Sequence, residues 1–256
     1  MCRLGADPHG DVLRDHLGRA GVGLRDAGAD PPRRTSTAAA AVGADGAASY
    51  RFDIDWDIAA IDPGAVRAFH TGSLATVLEP GATSVLAALE AVPLETLVSF
   101  DPNVRPAFGI PREEVLARTE RVARHAHVVK MSDEDLDWLY PGASLGDVAA
   151  RMHALGVRLV VVTRGAQGCL LSTPGWTTEL PAAPVSVVDT IGAGDAFMSG
   201  LLFAVLDTDG DPLLRSGDVP QHVAEEWARI ALRSAAITVG RRGAQPPWPA
   251  DLEARV

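Results

Sequence analysis

A chain of 256 residues, 47% of them hydrophobic, can bury one substantial core, and its net charge of −10 argues against a nucleic-acid or anionic-membrane surface, either of which needs a basic patch. No apolar run approaches the length needed to cross a bilayer, and Arg3, Asp7, Asp11, Arg14 and Asp15 near the start are foreign to a signal peptide. Two cysteines, Cys2 and Cys169, are too few for a disulfide framework or a metal cluster and point to a reducing, cytoplasmic setting, with Cys169 as a small core residue.

The first sixty or so residues read differently from the rest. Residues 11–20 form a helix with Leu13 and Leu17 one turn apart. Residues 35–42 and 47–53 flank Gly43-Ala44-Asp45-Gly46, a turn between two extended runs, which signals a hairpin over about 35–55. Beyond residue 62, apolar extended runs alternate with helical patterns, the sign of a parallel sheet covered on both faces. Strands are expected at 68–71, 97–100, 127–130 and 158–163, and helices at 83–91, 112–124 and 144–155, with Pro80, Pro111 and Pro141 near the boundaries. Residues 168–172, 177–179 and 185–188 read as a small antiparallel region. A helix follows at 196–206, and a last one at 223–239 carries Ala228, Ile230, Ala231, Ala235 and Ile237 on a wide apolar face. The simplest organisation is one α/β domain over residues 1–256.

The chemistry concentrates at Asp189-Thr190-Ile191-Gly192-Ala193-Gly194-Asp195, where an extended segment enters a Gly-rich turn and then a helix. Gly192 and Gly194 let bare N–H groups approach a phosphate, and the helix adds its positive end. Asp195 is the odd residue, because a carboxylate repels anions unless it takes part in the reaction. A base that removes a hydroxyl proton while amides hold the transferring phosphoryl group fits both facts. On spacing alone, a tight turn with Asp195 as helix N-cap fits equally well.

The run Asp-Thr-x-Gly-Ala-Gly-Asp resembles the signature of the ribokinase-like (PfkB-type) carbohydrate kinases. Gly5-Ala6-Asp7-Pro8, Thr71-Gly72-Ser73, Asp101-Pro102-Asn103-Val104-Arg105-Pro106, Lys130-Met131-Ser132-Asp133-Glu134-Asp135, Thr163-Arg164-Gly165-Ala166-Gln167-Gly168 and Arg242-Gly243-Ala244-Gln245-Pro246 follow in the family's order. A dinucleotide-binding reading fails, since Phe197 occupies the third small-residue position and the motif lies late in the chain. The resemblance implies a three-layer α/β sandwich with a mainly parallel central sheet and a small β lid. It also implies ATP-dependent transfer of a γ-phosphoryl group to a sugar hydroxyl with Mg2+, and with K+ in some members. The motifs are most similar to the fructokinase branch, with 2-keto-3-deoxygluconate kinase and ribokinase as alternatives. Family members begin with a strand bearing a sugar-contacting Asp and a Gly-Gly element, so the resemblance implies an N-terminally truncated chain. That departure opens a second reading, a non-catalytic sugar or nucleotide binder. Pairing through the lid implies a homodimer.

By the same resemblance Asp195 is the catalytic base, and the amides of Gly192, Ala193 and Gly194 form the anion hole. Gly72, Ser73, Asn103 and Arg105 face the sugar together with Asp195. Lys130, Ser132, Thr163, Gly165, Gly168, Gly243 and Ala244 face the nucleotide. Asp135, standing where the family's Asn-x-x-Glu element has Glu, helps arrange Mg2+ and phosphates through water, and Asp189 contributes to a monovalent-cation loop. Local readings stand beside these: Ser132 and Asp135 fit a capping box, Asp189 fits a brace of the signature loop, and Arg105 fits a surface side chain after a Pro-braced turn.

Overall fold

The computed structural model describes residues 2–25, 34–42 and 48–253, which fall into two compact units. The first joins Met1–Gly64 to Leu74–Ala91. Its helix α1 spans Pro8–Arg19, starting earlier than residue 11 because Asp7 caps it and Pro8 presets its first turn. Asp7 accepts hydrogen bonds from the N–H of Gly10 (2.9 Å), the N–H of Thr35 (2.7 Å) and the Thr35 hydroxyl (2.8 Å). Those donors, the Thr35 main chain first, hold its carboxyl well below the usual carboxylate range. Strands β1 (Thr37–Val42) and β2 (Ala48–Asp53) pair antiparallel, Thr37 opposite Asp53 and Val42 opposite Ala48. The Gly43-Ala44-Asp45-Gly46 turn lies outside the described residues. Helix α2 (Gly81–Ala91) starts where Gly81 donates to the Trp56 carbonyl at 2.9 Å, a contact so close that any Cβ at 81 would sit 2.3 Å from that oxygen.

The second unit joins Ala65–Ser73 to Val92–Val256 and carries the sheet. Strands β3 (Ala68–Gly72), β4 (Leu97–Asp101), β5 (Val128–Ser132) and β6 (Leu159–Thr163) are parallel, and β7 (Cys169–Ser172) and β8 (Thr177–Leu180) continue the sheet antiparallel, in that spatial order. Every residue of β4 is buried, as a strand covered on both faces requires. The helices are α3 (Arg112–Ala123), α4 (Asp133–Leu139), α5 (Leu145–Ala154), α6 (Ala193–Asp207), α7 (Asp211–Ser216), α8 (Gln221–Val239) and α9 (Pro249–Glu253). Leu97, Val128, Leu159, Val161 and Leu171 bury one face of the sheet in a cluster with Phe197 and Leu201 of α6 and Trp227 and Ala231 of α8. Residues of the opposite parity, Val129, Met131, Val160 and Val162, are equally buried, and α4 and α5 contact β5 and β6. The result is a three-layer sandwich. Truncating Phe197 or Trp227 would cost about 3–5 kcal/mol, which makes them framework residues. Helices α6 and α8 approach closely because Gly200 leaves room: a Cβ there would lie 2.7 Å from Ser234 Cβ.

Two expectations need correction. No strand forms at 185–188, although the valines suggest one. Pro181 and Pro184 lack the ladder donor, and the N–H groups of Val188 and Asp189 bond the Val239 carbonyl at the end of α8 instead (2.8 and 3.1 Å). Helix α6 begins at Ala193 rather than 196, with Gly192 (φ 78°) in the capping position, so Asp195 belongs to the first helical turn and is not the N-cap. Among the described residues no helix is long and apolar enough to cross a membrane.

Candidate active site

The carboxyl ends of β3 and β4 lie side by side, with Gly72 opposite Asp101. A Cβ at 72 would fall 2.2 Å from the Asp101 carbonyl oxygen, so only glycine fits that approach. Beyond the two strand ends, Ser73 (φ 49°) and Asn103 (φ 39°) both adopt left-handed backbone without being glycine. Such strain concentrates where a loop is built for a purpose. The Ser73 hydroxyl donates to the Asn103 carbonyl at 3.1 Å, and Arg105 Nη1 donates to the carbonyls of Asn103 (3.2 Å) and Val104 (3.0 Å) while remaining exposed. Gly72, Ser73, Asn103 and Arg105 therefore form one cluster at adjacent strand ends, where open α/β sheets place ligands.

Behind this cluster Lys130 of β5 extends to Asp101 of β4, Nζ to Oδ2 2.8 Å, with the two side chains 4% and 6% exposed. Burial pushes the Asp101 carboxyl up to about 6, the Lys130 ammonium opposes that rise, and the charges of Asp135 and Asp195 reinforce it. Asp101 Oδ1 is buried without a hydrogen-bond partner among the described residues. Ser132 caps α4: its hydroxyl accepts from the Asp135 N–H at 3.0 Å, and Asp135 Oδ2 accepts from the Ser132 N–H (2.9 Å) and hydroxyl (2.8 Å). Asp135 Oδ1 accepts from the Val104 N–H at 2.7 Å, so this carboxylate fastens the loop after β4 to the start of α4. His70 of β3 bonds Ser99 through Nδ1 at 2.9 Å, and desolvation lowers its pKa despite the attraction of Asp195.

The Gly-rich turn is held from both ends. Asp189 Oδ1 accepts from the Ile191 N–H (3.0 Å) and Oδ2 from the Gly243 N–H (2.9 Å), bonds that lower its pKa. Gly192 packs on Ala244 so tightly that a Cβ at 192 would sit 2.8 Å from the Ala244 Cβ. The Ala193 N–H turns to the Thr190 carbonyl at 3.3 Å, whereas those of Gly194 and Asp195 have no main-chain acceptor among the described residues. A Cβ at 194 would lie 3.0 Å from Lys130 Nζ, which puts the buried ammonium beside the opening turn of α6. The Asp195 carboxylate is exposed and makes no hydrogen bond or ion pair among the described residues.

A cavity of about 470 Å³ opens along this turn. Thr163, Gly165 and Gly168, the turn residues Ala193 and Gly194, and apolar side chains such as Val185 and Ala236 are among its lining, which makes it a largely apolar slot. Lys130, Ser132, Gly243 and Ala244 are outside its lining and meet the Gly-rich turn or α4 instead. Sequence reasoning missed the 182–187 wall and the α8 alanines, as well as Asp101 and His70; the alternating Val185 and Val187 were a signal, but one that also reads as strand. Cys169 is fully buried, with its thiol pushed up to about 12 by that burial, and is a core residue. Among the described residues no three metal-ligating side chains converge.

A sequence profile described as pfkB family carbohydrate kinase matches residues 1–251. Fructokinase-1 of Oryza sativa subsp. japonica is 32% identical over an alignment of 268 residues that covers 98% of this chain and 79% of the rice protein. A fructokinase of Rhizobium leguminosarum bv. trifolii is 33% identical over 198 residues, 73% of this chain but only 59% of that relative. The crystal structure of a fructokinase double mutant from Vibrio cholerae O395, bound to fructose, ADP and potassium ion, matches with a TM-score of 0.80 at 28% identity, covering 94% of this chain and 78% of that one.

Proposed function

This chain belongs to the pfkB family of carbohydrate kinases, and we propose that it transfers the γ-phosphoryl group of ATP to a sugar hydroxyl, with fructose the first candidate acceptor. The observation that carries the reading is the exposed Asp195 carboxylate in the first turn of α6, where N–H groups without a main-chain acceptor among the described residues adjoin a cavity of about 470 Å³ and Gly194 packs against the buried Lys130 ammonium. The cavity takes the base and ribose, and the opening turn of α6 takes the phosphates. The acceptor hydroxyl lies over the cluster of Gly72, Ser73, Asn103 and Arg105. Asp195 accepts its proton as the new O–P bond forms, and the bond from the γ-phosphorus to the leaving ADP oxygen breaks. The N–H groups of Gly194 and Asp195 and the Lys130 ammonium stabilise the charge on the transferring group. No covalent enzyme intermediate is needed.

Mg2+ would be held by the nucleotide's phosphate oxygens and by water, with Asp135, fixed in place by the Val104 and Ser132 hydrogen bonds, acting through water; bound there it would neutralise phosphate charge. Asp189, committed to two N–H groups, would shape a K+ loop rather than ligate the ion. The β1–β2 ribbon is the surface through which a dimer would form, since a two-stranded ribbon gains from an added partner. A coupled ADP-release assay over fructose, 2-keto-3-deoxygluconate, ribose and adenosine tests the reading. Fructose-dependent release supports it; nucleotide binding without release on any acceptor would leave a sugar or nucleotide binder.

A further inference from the structure

Resting on that kinase reading and deepening it, we infer that Asp101 is a positioning residue for phosphoryl transfer: it pins the Lys130 ammonium against Gly194, so that a fixed cation faces the transferring group. Strands β4 and β5 are in parallel register, Ser99 with Val128 and Phe100 with Val129, and the next step sets Asp101 beside Lys130. A lysine ammonium on a flexible four-carbon stem ordinarily escapes to water. Here it is buried, and Asp101 Oδ2 is its hydrogen-bond acceptor among the described residues.

A buried ion pair is a poor device for stability alone, since apolar residues of similar volume often serve as well. This pair is also incomplete. Among the described residues the ammonium uses one of its three donors, and Asp101 Oδ1 accepts nothing although buried. The ammonium lies against Gly194, whose N–H, like that of Asp195, finds no main-chain acceptor among the described residues. An ammonium packed against the opening turn of α6, where main-chain N–H groups are also unfilled, offers an oxyanion both a charge and hydrogen-bond donors. The titratable groups around the pair are Asp135 from α4, Asp195 from α6 and His70 from β3.

The test compares calorimetric affinities for ADP and for the non-hydrolysable analogue AMP-PCP, together with turnover, in the wild type, Asp101→Asn, Lys130→Met and the double variant. The ADP affinity should stay within about 3-fold, since the cavity and helix turn are intact, while Asp101→Asn loses about 10-fold for AMP-PCP and about 10²-fold in kcat. The double variant should be no worse than Lys130→Met, because Asp101 acts through the ammonium. Asp101→Glu keeps the pair charged should the Asn variant fail to fold, and its longer stem should lower kcat about 10-fold with the sugar KM unmoved. Additive losses in the double variant, or wild-type kcat in Asp101→Glu, would overturn the inference. A wild type that binds both nucleotides but phosphorylates no sugar defeats the kinase reading, and the loss of AMP-PCP preference in Asp101→Asn still decides the role of Asp101. A wild type that binds neither nucleotide overturns both.

Discussion

Asp189 Oδ2 accepts a hydrogen bond from the Gly243 N–H at 2.9 Å, tying the Gly-rich turn to a loop 54 residues further along the chain. Its other oxygen takes the Ile191 N–H, so one carboxylate sets the curvature of the turn and anchors it. Asp189→Asn puts an NH2 group against one of those donors, and the nucleotide KM should rise about 10-fold with a smaller change in kcat. The Ile191 bond first and the Gly243 bond second lower the Asp189 pKa, so its contribution to stability is present above the unfolded-state pKa and fades as pH falls through the lower folded value. The Tm gap between wild type and Asp189→Asn should therefore be full at neutral pH and close in acid below the usual carboxylate range. A gap independent of pH would contradict the brace.

Gly192 and Gly194 should respond differently to alanine. At 192 a Cβ meets both a left-handed backbone and the Ala244 Cβ at 2.8 Å, so Gly192→Ala should destabilise by about 1–2 kcal/mol. At 194 the Cβ meets only the end of the Lys130 side chain, and alanine favours the helix by about 0.5–1 kcal/mol. Gly194→Ala should hold or raise Tm while kcat falls about 10-fold as the ammonium shifts. Thermal melts beside steady-state kinetics separate the two outcomes; a loss of Tm without loss of kcat at 194 would refute the assignment.

Ala236 lines the cavity on α8, and Ala236→Leu fills part of the slot with side-chain volume. ADP affinity should drop about 10-fold, while the fold is retained because the new methyl groups project into space already open. Unchanged ADP affinity by calorimetry would move the nucleotide out of this cavity.

How much of this was legible in the sequence depends on whether the signal is local. Strands β4, β5 and β6 stand out because residues such as Leu159 to Val162 are buried on both faces and read as continuous apolar runs. The Ser132–Asp135 capping box is equally visible, since both halves lie within four residues. The valines of 185–188 mislead because the competing partner for their N–H groups is the Val239 carbonyl, which only the folded chain brings near. The start of α6 misleads because two glycines read as turn, although Ala193, Gly194 and Asp195 already sit in the helix. The Asp101–Lys130 pair is invisible until β4 and β5 are in register. Motif spacing names the residues, and long-range pairing decides what each one faces.

The most direct test concerns Asp195. Purified wild type and Asp195→Asn should be compared by ADP calorimetry and by coupled ADP release with fructose at saturating ATP. ADP affinity should stay within about 3-fold while kcat falls by about 10²–10⁴, the span that a positioned general base supplies. Near-normal turnover in Asp195→Asn would contradict it.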